Sequence, residues 1–187
     1  HRRLAVFIAS LAVMLTALLT QPTVAYYTVW NVTSNVITSG EISIIVVEKI
    51  GDEDFPEGGY TVMPGDTVPQ KVSVKNDGGH PCWLRVKVKS SIRSTASAVS
   101  LSAGVVQPVF DSVSWIDGGD GYYYYNKILM PNAETEPLIT SVGISTAADN
   151  RYIGSRYHLI VTALAVQSEN NSAYSTPLDV TGWPAEQ

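Results

Sequence analysis

The sequence predicts an all-β protein built as an antiparallel β-sandwich, and three observations carry that expectation. Short runs alternate apolar and polar residues with the period of two that a half-buried strand requires. Clusters of Pro, Gly, Asn and Asp interrupt those runs with the chemistry of tight turns. Beyond residue 25, no stretch sustains a 3.6-residue apolar period over three helical turns.

The chain opens with His1-Arg2-Arg3, a short basic stretch, followed by the nearly continuous apolar run Leu4 to Leu19. Pro22 breaks the run, and Thr23-Val24-Ala25 follows. Basic, apolar and small-residue regions in that order read as a helical secretory signal peptide over residues 1–25, cleaved between Ala25 and Tyr26. The run is 16 residues long. A bilayer span needs about 20, so the membrane is expected to be met only through the uncleaved signal, a retained anchor being the alternative.

The strands follow in order. Ile42 to Val47 is β-branched and nearly continuous, the pattern of a strand covered on both faces. Val72-Ser73-Val74-Lys75 alternates. Leu84-Arg85-Val86-Lys87-Val88-Lys89 alternates strictly, with one apolar and one basic face. Phe110, Val113 and Trp115 mark a further strand, Tyr122 to Leu129 a tyrosine-rich one, Leu138 to Ile144 the next, and Leu159 to Val166 a last buried run. Ser94 to Ser102 fits either a short helix or a loop. Met63-Pro64-Gly65-Asp66 has Pro and Gly in type II order, and Met130-Pro131-Asn132 repeats the device with Asn, which tolerates positive φ. Each of these turns leads into an apolar strand, a weak internal echo. Asn76 to Gly79 and Asp117 to Gly121 read as loop tips. Residues 41–187 thus form one sandwich domain with a loop-like C-terminal tail.

Composition narrows the function. Of 187 residues, 45% are hydrophobic and 16% charged, and mean hydropathy is +0.08, too apolar for a disordered chain. Net charge is −5, so no excess of Lys and Arg exists to displace the counterions of nucleic acid. Signal cleavage would remove Arg2 and Arg3, leaving 10 basic against 17 acidic side chains, a net of −7. A single Cys excludes an intrachain disulfide framework.

Catalytic patterns are lacking. There is no H-E-x-x-H and no G-x-S-x-G. His80 and Cys82 share one loop and make at most half a metal site, and Cys82 is otherwise available for pairing between chains. Asp52-Glu53-Asp54 and Asp117 with Asp120 are acidic enough for calcium but fit no EF-hand loop. No cofactor and no metal are expected, and the chain is not expected to be an enzyme. Four consecutive tyrosines, Tyr122, Tyr123, Tyr124 and Tyr125, place two rings on each face of a strand. The outward pair forms a candidate partner surface, able to stack on sugars or pack against a protein.

Four blocks, taken in order and spacing, resemble the TasA/camelysin family of exported bacterial proteins, which SipW-type signal peptidases process. They are the junction Thr23 to Thr28 with Asn35 to Gly40, Val62 to Val68 with Val74 to Gly78 and Leu84 to Val86, Asp120 to Leu129 with Pro131 and Thr135 to Leu138, and Ala163 to Asn171. Asn132 stands where the family usually has Gly. The resemblance implies a jelly-roll or immunoglobulin-like sandwich on the cell surface or in the biofilm matrix. It also implies fibres in which each subunit's N-terminal strand completes its neighbour's sheet. Carried onto this chain, the donor is residues 26–40, with Tyr26, Tyr27, Val29, Trp30, Val32, Val36 and Ile37 as its apolar residues. That segment holds no Pro and no charge before Glu41, so a chain beginning with it must pair it somewhere. The expected partners are further copies or related matrix subunits. The alternative is a non-polymeric adhesion module that binds a glycan or host protein through the tyrosine face. The family's camelysin branch carries a metalloprotease label, which the absence of a zinc-ligand pattern does not support here.

Overall fold

The structure is a computed structural model that describes residues 27–38, 42–56, 59–94, 101–171 and 176–186. The expected signal peptide, its Ala25–Tyr26 junction and most of the Ser94–Ser102 stretch lie outside those residues. Twelve strands form among them: β1 (Tyr27–Thr38), β2 (Ile44–Ile50), β3 (Glu53–Asp54), β4 (Tyr60–Val62), β5 (Thr67–Val68), β6 (Gln70–Asn76), β7 (Cys82–Arg93), β8 (Val106–Phe110), β9 (Trp115–Asp117), β10 (Tyr123–Tyr125), β11 (Ile139–Ile144) and β12 (Arg156–Gln167). The only helical turns described are short 3₁₀ segments. No described helix is long and apolar enough to cross a membrane.

The strands make two six-stranded sheets. The first runs β4-β1-β12-β7-β10-β9. In the second, β3, β2 and β6 lie side by side, β5 and β6 flank one edge of β11, and β8 pairs with β11 as well. Every pairing is antiparallel except one: β1 runs parallel to β12, from Thr28 opposite Arg156 to Thr38 opposite Ala165, with a bulge between Trp30 and Val32. An antiparallel pair can be closed by a two-residue turn, but a parallel pair needs a long crossover. Here the whole intervening chain is that crossover.

Alternation decides which side chains face the core. On β7, Cys82, Leu84 and Val86 point inward. On β12, Tyr157, Leu159, Val161, Ala163 and Ala165 do the same. They meet Ile44, Val72, Val74, Ile139, Val142 and Ile144 from the second sheet. Full burial of each Val, Leu or Ile among them contributes on the order of 1.5–3 kcal/mol. The strand expected to be covered on both faces, Ile42 to Val47, is not: Ile45 remains 43% exposed because β2 lies next to the two-residue edge strand β3 and its outer face meets solvent. The expected strand through Phe110 and Trp115 divides at Asp111, whose carboxylate accepts from the amides of Val113 and Ser114. β8 stays in the second sheet and β9 crosses to the first.

Both turns of the internal echo have matching geometry. Gly65 sits at φ 91° with Asp66 N donating to Met63 O, and Asn132 sits at φ 61° with Ala133 N donating to Met130 O. Asn76, fully buried, ties the second of these turns to the neighbouring loop. Its Nδ2 donates to His80 O at 2.8 Å and to Leu129 O at 3.1 Å, and its Oδ1 accepts from Gly78 N at 2.9 Å. Replacing Asn76 with Ala removes three hydrogen bonds, one to the buried Leu129 carbonyl and two to the half-buried backbone of His80 and Gly78. The expected cost is about 3 kcal/mol, read as a Tm lower by roughly 10 °C in thermal melts; an unchanged Tm would show the loop to be held by other contacts.

Candidate functional site

Two regions were singled out by the sequence, the N-terminal strand and the tyrosine run, and they meet on the outer face of the first sheet. The backbone of β1 lies within its own sheet and does not project from it. Its Tyr27–Val29 portion pairs with β4 and its length pairs with β12, so from Trp30 to Thr38 its outer edge has no strand partner among the described residues. Tyr26 lies outside the described residues. Tyr27, Val29, Trp30 and Val32 occupy register positions opposite Val62, Tyr157, His158 and Leu159. Val36 is 42% exposed, whereas Ile37 packs with Leu164, Tyr122 and Tyr124. Ser34, Asn35, Val36, Ile37, Thr162 and Glu186 line a groove of about 350 Å³ along this side.

The tyrosines divide between faces as alternation requires. Tyr123 and Tyr125 turn inward: Tyr123 stacks on Phe110 at 4.4 Å, and Tyr125 lies 5.2 Å from Trp115. Tyr122 and Tyr124 turn outward, yet they are only 8% and 5% exposed. The open partner surface expected at these rings is therefore covered. The cover is the C-terminal segment 176–186, which joins neither sheet. Trp183 lies edge-on to Tyr124 at 5.9 Å, and Val180 packs with Trp83 and Val166. The loop beneath admits no side chain at Gly118, where a Cβ would stand 2.5 Å from the Tyr124 ring.

Charge is organised around these rings. Alternation along β7 brings Trp83, Arg85 and Lys87 to the outer face. The Arg85 guanidinium sits 4.1 Å from the centre of Tyr122 and 4.7 Å from that of Trp183, a cation held between two aromatic faces. Lys87 Nζ donates to Glu186 at 2.8 Å, and the Tyr122 hydroxyl donates to the same carboxylate. The Tyr124 hydroxyl donates to Asp120 at 2.7 Å, and burial, aided by that carboxylate, pushes its pKa above the usual tyrosine range. Two donors on this face, Trp83 Nε1 and Arg85 Nε, are buried with no acceptor. Such a donor costs about 1–3 kcal/mol when left unpaired. Sequence reading missed Trp183 and Glu186 altogether. The visible signal was the row Trp83, Arg85, Lys87, basic and aromatic on one face and in need of a partner.

The acidic and thiol candidates have structural partners. Asp52 pairs with Lys71, Asp117 accepts from Gly119 N, and Asp120 is engaged as above. No three His, Cys, Asp or Glu side chains among the described residues converge as a metal site. Cys82 is fully buried beside Asn76, and burial pushes its thiol up to about 12. Interchain pairing through Cys82 would require the start of β7 to open. On the other edge of the sheet, Glu136 accepts from the Tyr125 hydroxyl and from Lys127 at 2.9 Å, which hold its carboxyl down at about 2.

Comparison with family models, with curated proteins and with solved structures gave no match.

Two outcomes follow from these environments. Cys82 should resist thiol-specific labelling at pH 8 in the folded protein and react fully in denaturant; rapid labelling of the native chain would contradict its burial. Because Glu136 is depressed in the fold, its contribution to stability is complete above its unfolded value, near 4.5, and is lost as pH falls towards 2. The carboxylate is half exposed, so screening holds the effect below about 1 kcal/mol. Glu136→Gln should flatten the acid limb of the stability curve in denaturant melts between pH 5 and 2, and an unaltered limb would place the titration elsewhere.

Proposed function

We propose that the chain is a secreted structural subunit of the cell surface or biofilm matrix that polymerises by exchanging its N-terminal strand. The observation that supports this most is the seat of β1. It is added to the sheet alongside the last strand, and only residues 39–43 separate it from β2 in the opposite sheet. Withdrawing β1 would bare the edge of β12 from Arg156 to Ala165. The β1 of a second copy offers the same backbone donors and acceptors for that edge. Exchange therefore conserves contacts, and concentration and strain in the connection decide between closed monomer and open chain. An exchange that runs head to tail does not close, so it yields filaments. Before signal cleavage the leading end of β1 stays tethered, which restrains exchange until export is complete.

The jelly-roll or immunoglobulin-like variety of sandwich, the TasA/camelysin kinship, the signal over residues 1–25 and its SipW-type processing belong to the same proposal. A non-polymeric adhesion role for Tyr122 to Tyr125 has less support, because its outward rings are covered.

The test is to staple β1 into its own chain. Asn35 and Thr162 are register partners, and the neighbouring-strand spacing of ~4.8 Å lies within the range a disulfide spans. The chain beginning at Tyr26 should form filaments visible by negative-stain electron microscopy. The oxidised Asn35→Cys, Thr162→Cys chain should remain monomeric, and reduction should restore assembly. Filaments from the oxidised chain, or a parent chain that stays monomeric at high concentration, would refute strand exchange.

A further inference from the structure

We propose that the outer face formed by Trp83, Arg85 and Lys87 with Tyr122 and Tyr124 is a recognition site for an aromatic and acidic C-terminal peptide, filled in the lone chain by its own tail and in a pair of chains by the tail of a second copy. This reading is independent of β1 exchange.

The tail docks as a peptide ligand would. It adds no strand to either sheet. It holds its own shape: Thr176 caps the 3₁₀ turn Pro177–Asp179, and Trp183 Nε1 donates to Val180 O at 2.8 Å. Its anchors are an indole set against the Arg85 guanidinium and a carboxylate set on Lys87 and Tyr122. An aromatic anchor beside a charge-assisted pair is the composition of an interface hot spot. The charges complement each other, since the face presents two cations on a chain of net charge −5 and the tail carries Asp179 and Glu186. A tail from a second copy makes the same contacts without the geometric restraint of the shared chain, and mutual exchange of this kind costs no contact.

Complementation between two full-length chains tests this. Both carry the oxidised Asn35→Cys, Thr162→Cys staple, which silences β1. One bears Trp183→Ala and Glu186→Gln, which disable its tail and leave its face intact. The other bears Arg85→Met and Lys87→Met, which disable its face and leave its tail intact. Mixed, they should form a 1:1 heterodimer by size-exclusion chromatography with light scattering, while each alone stays monomeric. Circular dichroism checks that both are folded. A fluorescein-labelled peptide of sequence TPLDVTGWPAEQ, residues 176–187, should bind the tail-disabled chain saturably in anisotropy titrations. Adding Arg85→Met to that chain should weaken binding roughly tenfold. A mixture that stays monomeric overturns the second copy as occupant. A peptide that does not bind, or binds equally with and without Arg85, overturns the site itself.

Discussion

The parallel pairing of β1 with β12 joins the first described strand to the last one, and the rest of both sheets is threaded between them. Its weight comes from the backbone. β12 is flanked along its length by β7 on one side and by β1 on the other. Its inward side chains, Leu159, Val161 and Ala163, are fully buried. Backbone groups beside such a core must be paired, since an unpaired buried amide or carbonyl costs as much as the lost hydrogen bond. The sandwich therefore requires a strand at that position. The requirement specifies backbone and says little about which chain supplies it.

The first sheet differs from the second in having apolar surface on both faces. Leu164 and Val166 on β12 turn away from the core and are still buried, because Tyr122, Tyr124, Trp183 and Val180 cover them. Ile37 of β1 enters the same outer cluster. The two ends of the described chain thus converge on one small area around Leu164. The run Tyr122 to Tyr125 links the layers there, with two rings in the core and two under the tail, and three of the hydroxyls reach carboxylates at Asp120, Glu136 and Glu186.

Legibility in the sequence followed the range of the interaction. β6 and β7 could be read because alternation is a local consequence of half-burial, β12 because its apolar run is nearly continuous, and the Pro64-Gly65 and Pro131-Asn132 turns because φ is a local property. The break between β8 and β9 was marked by Asp111, an acceptor for the amides two and three residues on, but the apolar spacing across it looked continuous. β3, β4 and β5, of two or three residues each, are too short to show a period. That Tyr27 to Thr38 would be a strand was legible from its uncharged, β-branched composition. Its parallel register with residues 156–165 was not, since a pairing across more than a hundred residues leaves no local trace. For the same reason the outward tyrosines looked exposed: the segment that covers them has no periodicity and lies sixty residues away.

The two ends of the chain are held by interactions of different physical kinds, and this bears on how they would act together. β1 carries no charged residue from Tyr27 to Thr38, so its seat depends on backbone hydrogen bonds and apolar contact, which salt screens little. The tail is held partly by the Lys87–Glu186 pair, about a quarter exposed on the lysine side and a third on the glutamate side, within reach of mobile ions. Raising ionic strength therefore loosens the C-terminal contact before the N-terminal one. Ile37 and Trp183 both pack against the cluster of Tyr122, Tyr124 and Leu164, so the two ends share one apolar patch while being held by different forces. The carboxyl end is thus the salt-sensitive attachment and β1 the salt-insensitive one.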